Sequence, residues 1–219
     1  MALSIKTLSF KSRIAFITLI GIFLVVFTLP QPVAADGVQS SLPSLPAFID
    51  SVRDGNPDAL RGIYIANVIA APIMQQPVGN PWFISSEPDP VTQFSVASEV
   101  GNIGLLAHNY LAGEYFQNIT ENDTIVLIYG DGSTHSFKVA SIQQYQAGDP
   151  LNPWSTFKDL NSGEAFSAEQ LFNKVYRGDY HVTLQTCIEY NGNESWGRLF
   201  IIAVPIGVQS DFVKQINIK

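Results

Sequence analysis

Cysteine is nearly absent from this chain: among 219 residues there is one, Cys187. With no second thiol an intrachain disulfide is excluded. No cluster of His and Cys has the spacing of a structural zinc site. Nor is there a Gly-x-Ser-x-Gly element to supply a serine nucleophile. Gly130-x-Gly132 is followed by neither a helix start nor a lysine, which excludes a phosphate-cradling loop. Positive charge is scarce as well, with 12 Lys and Arg against 19 Asp and Glu, and that balance argues against nucleic acid and anionic lipid as partners. Internal repeats and low-complexity segments are missing too.

What is present begins with a leader-like segment. Lys6, Lys11 and Arg13 precede an uncharged run from Ile14 to Leu29, followed by Pro30, Pro32 and the small residues Ala34 and Ala35. This is the order of a secretory signal, with Val33 and Ala35 fitting cleavage after Ala35. The competing reading is a retained membrane tether through residues 14–29, although the run is short of the roughly 20 residues needed to span a bilayer. Residues 1–35 are therefore expected to be a signal peptide or anchor. They carry three of the 12 basic residues and no acidic ones, so the remainder has a net charge of about −10. Residues 36–61 read as a Ser-, Pro- and Gly-containing linker with a short helix from about Pro46 to Arg53. Residues 62–219 are long enough for one domain with its own core.

That domain reads as mostly β. Candidate strands rich in Ile, Val, Phe, Tyr and Thr are Gly62–Ala70, Ile103–Ala107, Thr124–Tyr129, Thr134–Ile142, Asp179–Thr186 and Arg198–Val204. Gly130-Asp131-Gly132-Ser133 predicts a tight hairpin. One helix interrupts the series: Ser167-Ala-Glu-Gln170 has the form of a capping box, Leu171, Phe172 and Val175 make an apolar stripe, and Gly178 ends it. Many strands with few helices predict a closed or nearly closed β-barrel, with a β-sandwich as the alternative.

An exported protein with one unpaired cysteine holds either a buried small hydrophobe or a nucleophile. A nucleophile needs a base within hydrogen-bond reach. His181 is six residues before Cys187 on the same predicted strand, about 20 Å away at roughly 3.3 Å per residue, and is excluded. His135 follows the hairpin turn and reads as an exposed position. His108 directly follows the apolar strand Ile103-Gly-Leu-Leu-Ala107, where a rigid scaffold hands over to a loop. Arg198 opens the last strand; if that strand pairs with the one ending in Cys187 through a loop from Ile188 to Gly197, the two residues meet at one end. An arginine there favours a thiolate and stabilises an oxyanion.

As a set, Gly101-Asn-Ile-Gly-Leu-Leu-Ala-His108, Phe116 with Asn122-Asp123, Thr183-Leu-Gln-Thr-Cys187 and Trp196-Gly-Arg198-Leu-Phe-Ile-Ile-Ala203 resemble the sortases, exported bacterial cysteine transpeptidases. The resemblance covers most of the chain from about Ile63 to Val204. It implies an eight-stranded sortase-type barrel with Cys187 as nucleophile, His108 as general acid and base, and Arg198 as stabiliser of the oxyanion or substrate carbonyl. It implies no cofactor and no metal. Expected partners are surface proteins bearing a C-terminal sorting motif, often Leu-Pro-x-Thr-Gly-like, and an amine acceptor such as a peptidoglycan precursor or pilin lysine. The protein is then expected at the cell surface or outside the cell. Two other functions stay open: a secreted cysteine peptidase or amidase using the same residues with water as acceptor, and a non-catalytic secreted β-barrel that binds a surface polymer. Glu114, Glu121 and Asp123 read as a solvated acidic face rather than a calcium site.

Overall fold

The chain divides into two units, Met1–Ser40 and Ser41–Lys219, and the computed structural model describes residues 42–207. The expected signal or anchor at residues 1–35 and its apolar run therefore lie outside the described residues. Within the second unit the elements run α1 (Leu45–Val52), β1 (Leu60–Ile65), β2 (Ile69–Gln75), β3 (Val91–Phe94), α2 (Ser95–Glu99), β4 (Ile103–Leu106), a 3-10 segment (Ala112–Asn118), β5 (Thr124–Tyr129), β6 (Thr134–Ala147), β7 (Thr156–Asp159), β8 (Ala165–Ser167), α3 (Ala168–Tyr176), β9 (Val182–Tyr190) and β10 (Asn193–Pro205).

Eight strands close a barrel in the order β10-β9-β4-β3-β2-β1-β5-β6, and β6 pairs back onto β10 to complete the circuit. The expected fold class is the one found. The closing pair is long, running from Gly197 opposite Gln146 to Pro205 opposite Phe137. Closure removes exposed strand edges. β7 and β8 continue the sheet outward from the far half of β6.

Alternation along the strands builds two apolar clusters, one on each face of the sheet. Ile63, Leu105, Leu127, Leu184, Leu199 and Ile201 point inward into the barrel core. Tyr145, Phe157, Phe200 and Ile202 point outward and are covered by Leu171, Val175 and Tyr176 of α3. This explains why residues 199–203 read as an unbroken apolar run: both faces of that strand are buried.

The structure also corrects several boundaries. The single strand expected over Gly62–Ala70 is two antiparallel strands, because the chain reverses at Asn67, whose φ of 61° lies in the left-handed region that asparagine tolerates. The loop expected from Ile188 to Gly197 is mostly strand, with Asn191 and Gly192 at φ 52° and 79° forming the turn. Strands β3, β7 and β8 were not among the sequence expectations; they span four, four and three residues, too short to show a period. The helix signals hold closely. Ser44 caps α1, and Ser167 and Gln170 form the full reciprocal capping box at α3.

Candidate functional site

β9 lies between β10, antiparallel, and β4, parallel. Across β10, Cys187 pairs with Arg198. Across β4, Leu106 pairs with Gln185, and the Ala107 N–H donates to the Gln185 carbonyl at 3.2 Å. Two residues further along both chains, the same register brings His108 level with Cys187. Parity puts all three on the same face: Leu105, Leu184 and Leu199 point into the core, so the odd-numbered Cys187 and the even-numbered His108 and Arg198 point outward. Each of the three is half-buried.

The polar residues of Thr183-Leu-Gln-Thr-Cys187 each make a fastening. Thr183 Oγ1 donates to the Val175 carbonyl at 2.6 Å, and Gln185 Oε1 accepts from the Tyr176 hydroxyl at 2.6 Å, so both hold α3 against the outer face. Thr186 turns inward, and its hydroxyl donates to the Ala107 carbonyl at 2.9 Å. That bond fixes the backbone one residue before His108. The His108 carbonyl then accepts from the N–H groups of Leu111 and Gly113, both at 3.0 Å, which curls the chain into the 3-10 segment. Gly113 is required there. A Cβ would press on Thr186 Oγ1 and lie 2.7 Å from the His108 carbonyl oxygen.

Burial pulls the His108 imidazole below its ordinary value, the Glu194 carboxylate opposing in part. Its neighbour Asn109 donates from Nδ2 to the Glu194 carbonyl at 3.0 Å, which ties the histidine loop to the start of β10. Tyr110 stacks on the imidazole with centroids 5.2 Å apart.

Arg198 is held by backbone oxygens rather than by a carboxylate. Its Nη1 donates to the Ser195 and Gly197 carbonyls at 2.8 and 2.9 Å, its Nη2 to the Pro150 carbonyl at 3.3 Å, and the guanidinium lies 5.8 Å from the Phe157 ring centroid. Two of these oxygens lie on β10 itself and one on the loop after β6; together they aim the guanidinium, and among the described residues no carboxylate pairs with it.

The other histidines take no part in this arrangement. His181 is buried beneath the end of α3, its ring nitrogens 2.7 and 3.0 Å from the Asp179 and Val175 carbonyls. His135 is exposed on β6 against Tyr129. Among the described residues no group of three or more His, Cys, Asp or Glu is arranged to hold a metal ion. The Asp123 carboxylate accepts from the Thr120 N–H and hydroxyl, closing its own turn.

An apolar groove of about 450 Å³ is walled by Trp82, Phe94, Trp154 and Phe172, with Glu169 the one charged lining residue among the described residues. Trp82 and Trp154 meet edge to face at 6.0 Å. Phe94 pairs with Gly104, four residues back along the chain from His108, or about 13 Å at strand spacing. No local pattern in the sequence marks Trp82, Asn109, Tyr110 or Gly113, or the fastening role of Thr186. Only Thr186 carried a signal, as part of the quoted motif. Among the described residues no helix is long and apolar enough to cross a membrane.

No family model and no curated protein matches the chain. Solved structures of sortases are similar to it. The sortase C-1 of Actinomyces oris is 15% identical with a TM-score of 0.46, over 89% of this chain and 98% of that one. Sortase A of Listeria monocytogenes is 13% identical with a TM-score of 0.44, over 70% and 88%. Sortase A from Corynebacterium diphtheriae is 15% identical with a TM-score of 0.44, over 71% of this chain and 64% of that one. The chemistry of the site rests on this chain's own residues.

Proposed function

We propose that this chain is a sortase-type cysteine transpeptidase. The observation that carries the reading is the pairing of Cys187 with Arg198 across β9 and β10, with the strand flanking β9 on its other side running directly into His108. A nucleophile, a fixed cation and an imidazole on one outward face are the parts that acyl transfer requires.

In this reading the Cys187 proton passes to His108 and the sulfur attacks a backbone carbonyl of the substrate, forming a C–S bond. Arg198 stabilises the negative charge that develops on the carbonyl oxygen. Collapse breaks the C–N bond, and the imidazolium of His108 gives its proton to the leaving amine. A thioester remains. A primary amine then attacks that carbonyl, neutral His108 takes its proton, the C–S bond breaks to release a new amide, and the imidazolium proton returns to the sulfur, restoring Cys187. The apolar groove suits a peptide whose residues upstream of the cleaved bond are hydrophobic. Substrates are then proteins with a C-terminal sorting motif, and acceptors are amines of the cell surface. Residues 1–35 would deliver the domain there as signal or anchor, residues 36–61 would be its linker, and residues 62–219 its catalytic part.

The test supplies a Leu-Pro-x-Thr-Gly-containing peptide with and without a triglycine amine. Incorporation of the amine, its absence with Cys187→Ala, and a mass adduct of acylated enzyme are expected. Hydrolysis without incorporation would assign a peptidase instead. Unchanged processing by Cys187→Ala would remove the catalytic assignment altogether.

A further inference from the structure

Resting on the transpeptidase reading, we propose that Tyr110 is a positioning residue for His108, lying flat on one face of the imidazole and shielding that face from water so that the ring stays in its neutral, proton-accepting form. The two rings are nearly parallel, 16° apart with centroids at 5.2 Å. Tyr110 is itself 56% exposed, so its outer face meets solvent while its inner face covers the histidine. It is a cover that the core does not need, since nothing in either apolar cluster includes it.

The loop is built to hold that geometry. Leu111 N–H bonds back to the His108 carbonyl at 3.0 Å, closing a turn that brings residue 110 over residue 108, and the Asn109 side chain pins the same turn to Glu194. The ionisable groups on the neighbouring elements are Cys187, Glu189 and Tyr190 on β9, Glu194 and Arg198 on β10, Glu114 and Tyr115 on the 3-10 segment, and Tyr110 on the histidine's own loop. Two effects of the phenol ring compete. Its π face favours an imidazolium, whereas the water it displaces favours the neutral ring. Burial lowers the His108 imidazole from its ordinary value against the Glu194 carboxylate, and the Tyr110 ring stacked on it adds to the water-excluding surface around it.

The test follows the His108 imidazole proton signals by NMR across pH in the full chain for wild type, Tyr110→Phe and Tyr110→Ala, with His135 and His181 as internal references. In Tyr110→Ala the His108 midpoint is expected to rise toward the ordinary histidine value, the two reference signals holding still. Tyr110→Phe keeps the wild-type midpoint, because the flat ring and not the hydroxyl provides the cover. With a sorting peptide and triglycine, Tyr110→Ala lowers kcat with KM for the peptide unchanged, and Tyr110→Phe restores it. An unchanged or lowered midpoint in Tyr110→Ala overturns the proposal, as does a Phe variant that titrates like Ala. A wild-type protein that leaves every sorting peptide intact, while its His108 midpoint shifts as described, overturns the transpeptidase reading and leaves the shielding role standing.

Discussion

Arg198 shows how far a single residue depends on its neighbours. A solvated arginine spreads over many rotamers, but this one is clamped by the carbonyls of Ser195, Gly197 and Pro150 and rests on Phe157. The fork geometry is what allows two acceptors on β10 and one on the loop after β6 to be reached at once; a lysine ammonium is a point charge on a flexible stem. Arg198→Lys is therefore expected to keep the fold and the charge but lower kcat on a sorting peptide on the order of a hundredfold, the scale of losing an aimed oxyanion donor. An unfolding midpoint within a degree or two of wild type, measured beside the kinetics, would separate lost aim from lost stability. Similar activity in Arg198→Lys would mean that charge alone suffices.

At the scale of elements, α3 is the cover that turns the outer face of β9 and β10 into one wall of a site. Its start is satisfied by the Ser167 and Gln170 capping box, and its end by side chains from elsewhere. Thr183 serves the Val175 carbonyl, and Asn102 Nδ2 donates to the Tyr176 carbonyl at 2.9 Å while its Oδ1 accepts from the His181 N–H at 2.8 Å. Asn102 is 2% exposed. Removing its side chain leaves a buried carbonyl and a buried N–H unpaired, at about 1–3 kcal/mol each. Losing the exposed Ser167 cap costs about 1 kcal/mol. Urea unfolding of Asn102→Ala and Ser167→Ala is expected to rank them in that order, and the reverse order would place the hold on α3 at its start.

The whole barrel depends on β10, which is hydrogen-bonded on both sides and packed on both faces. Ile201 sits at the middle of that strand, opposite Leu184 on one side and Ile142 on the other, and is fully buried. Ile201→Ala is expected to lower the unfolding free energy by about 2–5 kcal/mol, read from denaturant melts. A cost below about 1 kcal/mol would mean that the inner core repacks around the gap instead of holding its shape. Because the same strand aligns Arg198 with Cys187, the variant should also lose activity ahead of global unfolding.

Local chemistry was enough to predict much of this protein from its sequence. Ser44 and Ser167 mark helix starts because a cap acts within four residues, and Gly130-Asp131-Gly132-Ser133 marks a hairpin because a turn is local. Many strands with few helices pointed to a barrel, with a sandwich as the alternative, and the spacing along one strand was enough to set His181 apart from Cys187. Tertiary structure decided what depends on partners far away in the chain. The short strands β3, β7 and β8 exist only because a neighbouring strand takes up their hydrogen bonds. Tyr110 faces His108, Thr186 holds Ala107 and Pro150 holds Arg198 through contacts that no local pattern records. The physical reason is the same in each case: propensity and capping are written in neighbouring residues, whereas register and close packing are settled only when distant segments compete for the same space and the same hydrogen bonds.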